Sequence, residues 1–218
     1  MTNRMKKTAL LLVLLLAVLT GCAKEDPAAY PVMEMPDTAA MEMESVENAA
    51  LGFSFPADGW SCQPNDDMLI VTHDETLGQE KDVNISVQVV DTFKATLDES
   101  YRNRMERQMN KNPSYMQLNL MEMRQLEGES VLYFEVHTAF TEESISELMK
   151  SKVLDKKMLE QLGGKEALLK IPPSDQIIFH TLVDGTLVIF TGTYYDEAQK
   201  QQVLDTMMVM VSTCSLTK

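Results

Sequence analysis

The chain has 218 residues, with 33 acidic against 19 basic side chains, 3 cysteines and a formal net charge of −14. That balance excludes nucleic acid as a partner, because a phosphate backbone meets repulsion and no polyelectrolyte attraction. It also excludes a purely electrostatic hold on anionic lipid headgroups, and its loose attraction for cations does not amount to a site.

The first element in chain order is a leader. Arg4, Lys6 and Lys7 form a positive n-region, and 10–19 is an almost unbroken apolar run. The run is a signal-peptide core, since a membrane span needs about 20 such residues. It ends in Leu19-Thr20-Gly21-Cys22, which resembles the lipobox of bacterial lipoproteins. That resemblance implies cleavage after residue 21 and a diacylated Cys22 as the mature N-terminus. At about 0.8 kcal/mol per buried CH2, several acyl chains make a lasting anchor. Ala23 and Lys24 follow, with no Asp at the second position; in a Gram-negative cell this pattern implies release to the outer membrane. Loss of the three leader cations leaves 16 basic against 33 acidic groups, a net charge of −17.

Residues 23–50 hold Pro27, Pro31 and Pro36 and seven acids against Lys24 alone. They show no hydrophobic period, so 22–50 reads as a lipidated cysteine with a disordered acidic tether. The remainder, 51–218, is long enough for one domain.

In that domain Phe53 and Phe55 share one face of an extended segment, Pro56 ends it, and Asp58-Gly59 turns the chain so that Trp60 folds back. Strands are expected at 67–72 and 83–90. In the second, Val83, Ile85, Val87 and Val89 alternate with Asn84, Ser86 and Gln88, which predicts one buried and one wet face. Thr96-Leu97-Asp98-Glu99 reads as a capping box, opening a helix with Leu97, Tyr101, Met105 and Met109 along one stripe and ending at Asn112-Pro113. Strands at 115–126 and 129–138 join around Gly128. Strands at 175–183 and 186–195 flank Asp184-Gly185, a strong two-residue hairpin signal. Asp196 caps a last helix with Val203, Leu204, Met207, Met208 and Val211 on its inner face. The order predicts an α+β fold, an antiparallel sheet with helices packed on it.

This order, the opening GFSFPADGW and the closing FTGTYYDEAQKQQVLDTMMVMVSTCSL resemble the PsbP-like superfamily. That group includes an extrinsic photosystem II subunit, a nuclear-transport factor that binds Ran, and many bacterial lipoproteins of unassigned role. The resemblance covers most of 52–216 and implies an α/β/α sandwich around an antiparallel sheet; its motifs are structural and imply no active site. Residues 141–171 depart from the pattern as a helical insertion. Ile145, Leu148, Met149, Leu154, Met158, Leu159 and Leu162 suggest two short helices ended by Gly163-Gly164. Their apolar stripes either cap the sheet or present a surface to an envelope protein partner.

Catalytic signatures are missing from the sequence: there is no G-x-S-x-G, G-x-x-x-x-G-K-[ST], H-E-x-x-H, C-x-x-C or EF-hand loop. His137 and His180 lie on predicted strands and could meet across the sheet as metal ligands, while His73 stands apart; isolated strand histidines usually serve other ends. Asp66-Asp67 and Asp74-Glu75 lack the evenly spaced oxygens of a calcium site. Asn84-Ile85-Ser86 is a formal sequon inside a strand of a chain with a bacterial leader, and is discounted. Cys62 and Cys214 are an even pair in an exported chain, hence a candidate disulfide that would contribute roughly 4 kcal/mol by the chain-entropy model. Methionine is overrepresented at 17 residues, and Met-Glu-Met recurs at 33–35, 41–43 and 121–123. Thioethers select Cu(I) or Ag(I), so Met33, Met35, Met41 and Met43 on the tether are soft-metal candidates, although Met elsewhere fills core positions.

These readings predict a lipid-anchored, extracytoplasmic binding or assembly protein of the bacterial envelope, without enzyme activity or cofactor. A soft-metal-binding lipoprotein and an unrecognised hydrolase are the alternatives.

Overall fold

The structure, a computed structural model, describes residues 30–65, 68–90, 96–110 and 115–217. Its centre is an antiparallel sheet of seven strands in the order β3-β4-β5-β9-β8-β7-β6. The strands are β3 (Trp60–Asn65), β4 (Met68–His73), β5 (Asn84–Val90), β6 (Met116–Leu126), β7 (Glu129–Thr138), β8 (Ser174–Val183) and β9 (Thr186–Tyr194). A second sheet joins β1 (Met43–Glu47), β2 (Leu51–Pro56) and β10 (Ser215–Leu216). The helices are α1 (Glu99–Met109), α2 (Glu142–Lys150), α3 (Lys156–Gln161), α4 (Lys165–Leu169) and α5 (Glu197–Thr213). Among the described residues no helix is long and apolar enough to cross a membrane.

Alternation along the central strands builds two cores, one on each face. Ile85, Val87, Tyr133, Ile177, Phe179, Val188 and Phe190 meet Val203, Met207 and Met210 of α5, with Phe53 and Phe55 of β2 beside them. On the opposite face Leu132, Phe134, Ile178, Leu187 and Ile189 meet Tyr101, Met105 and Met109 of α1 and Ile145, Leu148 and Leu168 of the insertion. The result is the expected α+β arrangement, a sheet between helical layers, as the PsbP-like resemblance implies. The β8–β9 hairpin turns at Asp184 and Gly185, at φ 49° and 80°, the positive pair that a type I′ turn requires.

Four expectations are corrected. The tether does not run disordered to residue 50: β1 pairs with β2, and Asn48 Oδ1 accepts from Ala50 N at 2.9 Å and Leu51 N at 3.0 Å to close the turn. The backbone bonds of β1 need no apolar period, and of its side chains only Val46 packs on the core, so hydropathy does not reveal the strand. Upstream, Met33 N donates to Gln125 O and Gln125 N to Pro31 O, both at 2.8 Å, clipping the chain to the free edge of β6. The domain therefore starts before 51; Cys22 and the rest of 1–29 lie outside the described residues. Second, the N-cap of α1 is Asp98, which accepts from Tyr101 N at 2.8 Å. Thr96 donates to its carboxylate at 2.7 Å, so the expected box is replaced by a single aspartate cap. Third, the insertion holds three helices, because Gly164, at φ 83°, ends one turn and starts another. Its Ile145, Leu148, Leu154, Leu162 and Leu168 are buried and cap the sheet. Fourth, Cys62 and Cys214 are both free thiols: each sits half-buried against the α5-side core. The expected helix end at Asn112-Pro113 lies outside the described residues.

Candidate functional site

The histidines are placed apart. His180 stands opposite Leu132 and His137 opposite Asp175, five positions or about 17 Å along the ladder and on opposite faces. They do not meet around a metal. His180 is 2 % exposed, its Nδ1 is 2.8 Å from the Tyr101 hydroxyl, and the Phe134 ring meets it edge-on at 5.1 Å. Burial pushes its pKa down to about 3, so it is a neutral core residue. His137 Nδ1 donates to Asp175 Oδ1 at 2.9 Å on the rim. His73 accepts from Gln202 Nε2 at 2.8 Å and lies edge-on to Trp60.

Asp74 and Glu75 form a single 3-10 turn with Thr76, whose hydroxyl donates to His73 O and accepts from Val83 N, both at 3.0 Å. Asp66 and Asp67 lie outside the described residues. No group of three or more His, Cys, Asp or Glu able to hold a metal occurs among the described residues. Met33 is 8 % exposed and Met35 packs beside it in the core, while Met41 and Met43 are 39 % and 36 % exposed. The four thioethers are thus divided between core and solvent. Burial pushes the Cys62 and Cys214 thiols up to about 11, away from nucleophilic use.

A charged cluster on the α5 face is satisfied internally. Glu135 accepts from the Tyr133 hydroxyl and, at 3.0 Å, from Lys200 of α5. The Arg124 guanidinium lies 4.0 Å over the Tyr133 ring and pairs with Glu122. This network ties α5 to β7.

The unexplained feature lies on the other face. Ser61 stands opposite Thr72, Thr72 opposite Asn84, Asn84 opposite Thr193, and Thr193 opposite Gln176. Directly paired residues share a face, so one row of hydroxyl and amide side chains crosses β3, β4, β5, β9 and β8, a span of about 19 Å. Gly192 fixes which face it is: a Cβ there would meet Val203 and Met207 of α5, so Thr193 points the other way. Thr72 is 0 %, Gln176 2 % and Thr193 4 % exposed, whereas Ser61 and Asn84 are half-buried. Ser61 Oγ, Thr72 Oγ1 and Gln176 Oε1 are buried without any hydrogen-bond partner. Such orphaned atoms cost about 1–3 kcal/mol each. Near the β5 end, Asn84 Nδ2 donates to Asp82 O at 2.7 Å, and burial raises the Asp82 carboxyl pKa.

The alternation in β5 reveals the polar face but assigns it to solvent. The missed signal is the polar residues at alternate positions of strands that are otherwise apolar: Thr72, Gln176, Thr191 and Thr193.

No family model and no curated protein matches the chain. Among solved structures it is similar to the cyanobacterial PsbP protein CyanoP of Synechocystis, at 10% identity over 85% of this chain and 98% of that one, TM-score 0.43. It is similar to the Saccharomyces cerevisiae Ran-binding protein Mog1p at 10% identity, over 81% and 96%, TM-score 0.46. A third likeness is to LpqN of Mycobacterium tuberculosis, involved in cell envelope biogenesis, at 10% identity over 82% and 92%, TM-score 0.43. These are likenesses of chain fold, and no residue role passes across from them.

Proposed function

We propose that the chain is a lipid-anchored binding or assembly protein of the extracytoplasmic face of a bacterial envelope, without enzymatic chemistry. The observation that carries the reading is the leader that runs from its basic start through the apolar 10–19 to Leu19-Thr20-Gly21-Cys22. The address is supported by the leader and by Cys22.

A non-enzymatic role is supported by the state of the reactive groups. His180 is bonded to Tyr101 and held neutral, and both described thiols are raised well above neutrality. Activated nucleophiles need the opposite arrangement, a base within reach or a lowered pKa. The insertion faces the core with its apolar side chains, which directs the binding role away from the apolar stripes of 141–171.

The test is a thermal-unfolding screen of the mature chain against neutral, anionic, cationic and apolar small molecules. A compound that raises the unfolding temperature in a saturable way supports the role; no such compound in any class contradicts it. For the address, palmitate labelling and membrane fractionation should both be lost in Cys22→Ser, and labelling that persists would contradict it.

A further inference from the structure

We infer that residues 30–41 form a releasable strap that sets how far the domain stands from the membrane. The inference rests on the reading of Cys22 as the acylated N-terminus. Tyr30 follows Cys22 by eight positions, and the chain docks on the sheet directly after it. Val32 bridges to Gln125 in parallel, Met33 N donates to Gln125 O and Gln125 N donates to Pro31 O, both at 2.8 Å. Met33 is buried and Met35 packs beside it on the α5-side core, while Tyr30 packs against the core of the opposite face. The strap therefore straddles the free edge of β6.

This docking is separable from the rest of the fold. Residues 37–41 are exposed and bond to one another: Ala39 N donates to Asp37 Oδ1 at 3.0 Å, and Met41 N to Thr38 O at 3.1 Å. Firm pairing begins at Glu42, whose carbonyl accepts from Ala57 N at 2.8 Å, and continues as β1 runs along β2. The strap is thus joined to β6 at one bridge and to β1 through an exposed turn. It can lift as a local unit while β1 stays paired.

Lifting changes the reach of the tether. With the strap docked, the eight positions from Cys22 to Tyr30 span at most about 28 Å of extended chain. With it lifted, the twenty positions from Cys22 to Glu42 span at most about 70 Å. The corresponding root-mean-square spans of a flexible chain are about 16 and about 25 Å. Any outward pull on the domain passes through the strap before it reaches β1, so the strap is the element that yields first.

Two measurements on the mature chain test this. Amide hydrogen exchange read by NMR needs no anchor, and compares Met33 and Gln125 with Ala57 and with Phe53, which stands opposite Val46 in the β1–β2 ladder. Protection at Met33 and Gln125 should be lower than at Phe53 and Ala57 by about tenfold or more; equal or higher protection means that strap and β1 open together and overturns the inference. The second is neutron reflectometry on a supported bilayer, with the chain coupled through the Cys22 thiol to a maleimide lipid. Met33→Glu takes a charge out of the core, and Gln125→Pro removes the N–H that meets Pro31 O at a position where an edge strand tolerates proline. Both should widen the mean gap between headgroups and domain by about half, with wild-type near-UV circular dichroism showing that the core holds. A gap unchanged in either variant overturns the inference. Because the lipid is attached chemically, a failure of acylation at Cys22 in cells would remove the proposed address and leave both readouts as they are.

Discussion

Gly192→Ala gives the sharpest prediction about how the helical layer meets the sheet. Gly192 sits on β9 directly beneath α5, where an added Cβ would lie 2.4 Å from Val203 Cγ1 and 2.5 Å from Met207 Sδ. Met207 is flexible and can turn aside, but Val203 is β-branched and held to one rotamer in a helix. Val203, Met207 and Met210 are all 0 % exposed, so α5 cannot rise without loosening its own core. Overpacking of this kind costs about 1–3 kcal/mol, and the lower chain entropy of Ala returns up to about 1 kcal/mol. The expected net loss is about 1–2 kcal/mol, seen as a lower urea midpoint at unchanged slope and a Tm drop of roughly 2–8 °C. Val203→Ala in the same chain should recover part of it, with a coupling of about 1 kcal/mol. Stability equal to wild type in the single variant, or strict additivity in the double, would refute the close approach.

Burial at His180 predicts a pH effect. Its folded-state pKa of about 3 lies below the ordinary 6.5 of the unfolded chain, so stability is complete above 6.5 and falls as pH drops from 6.5 toward 3, at about 1.4 kcal/mol per unit. Between pH 7 and 5.5, His180→Leu should lose about 1 kcal/mol less than wild type by urea titration; equal losses would contradict the enclosure. Met33→Glu should detach the N-terminal clip at about 2 kcal/mol and open the chain near Met33 to limited proteolysis; an unchanged digest would show that the clip contributes nothing. The Cys62 and Cys214 thiols, pushed up to about 11, should react with a disulfide reagent at pH 8 at least about tenfold faster in urea than when folded. Fast reaction of both in the folded chain would contradict their burial.

Much of the fold was legible because periodicity reports which face of an element is buried. Leu97, Tyr101, Met105 and Met109 recur at helical spacing and are all buried, and Asp184-Gly185 carries its turn type in its residues. What escaped depends on backbone pairing. β1 and the clip at Gln125 are held by N–H and C=O groups common to every residue, so MESVE and PVM look no different from linker. The polar row was half legible. Asn84 and Ser86 show a polar face, but whether that face meets water or neighbouring elements depends on β4 and β9 lying beside β5, an order set by tertiary pairing. His137 and His180 do not meet for the same reason: sequence supplies residue types, while register decides whether they meet.

The measurement that tests the central claim most directly is mass spectrometry of the N-terminal peptide of the chain purified from envelope. The account predicts a peptide that begins at Cys22 and carries acyl chains on it. A peptide that retains 1–21, or an unmodified Cys22, would contradict it.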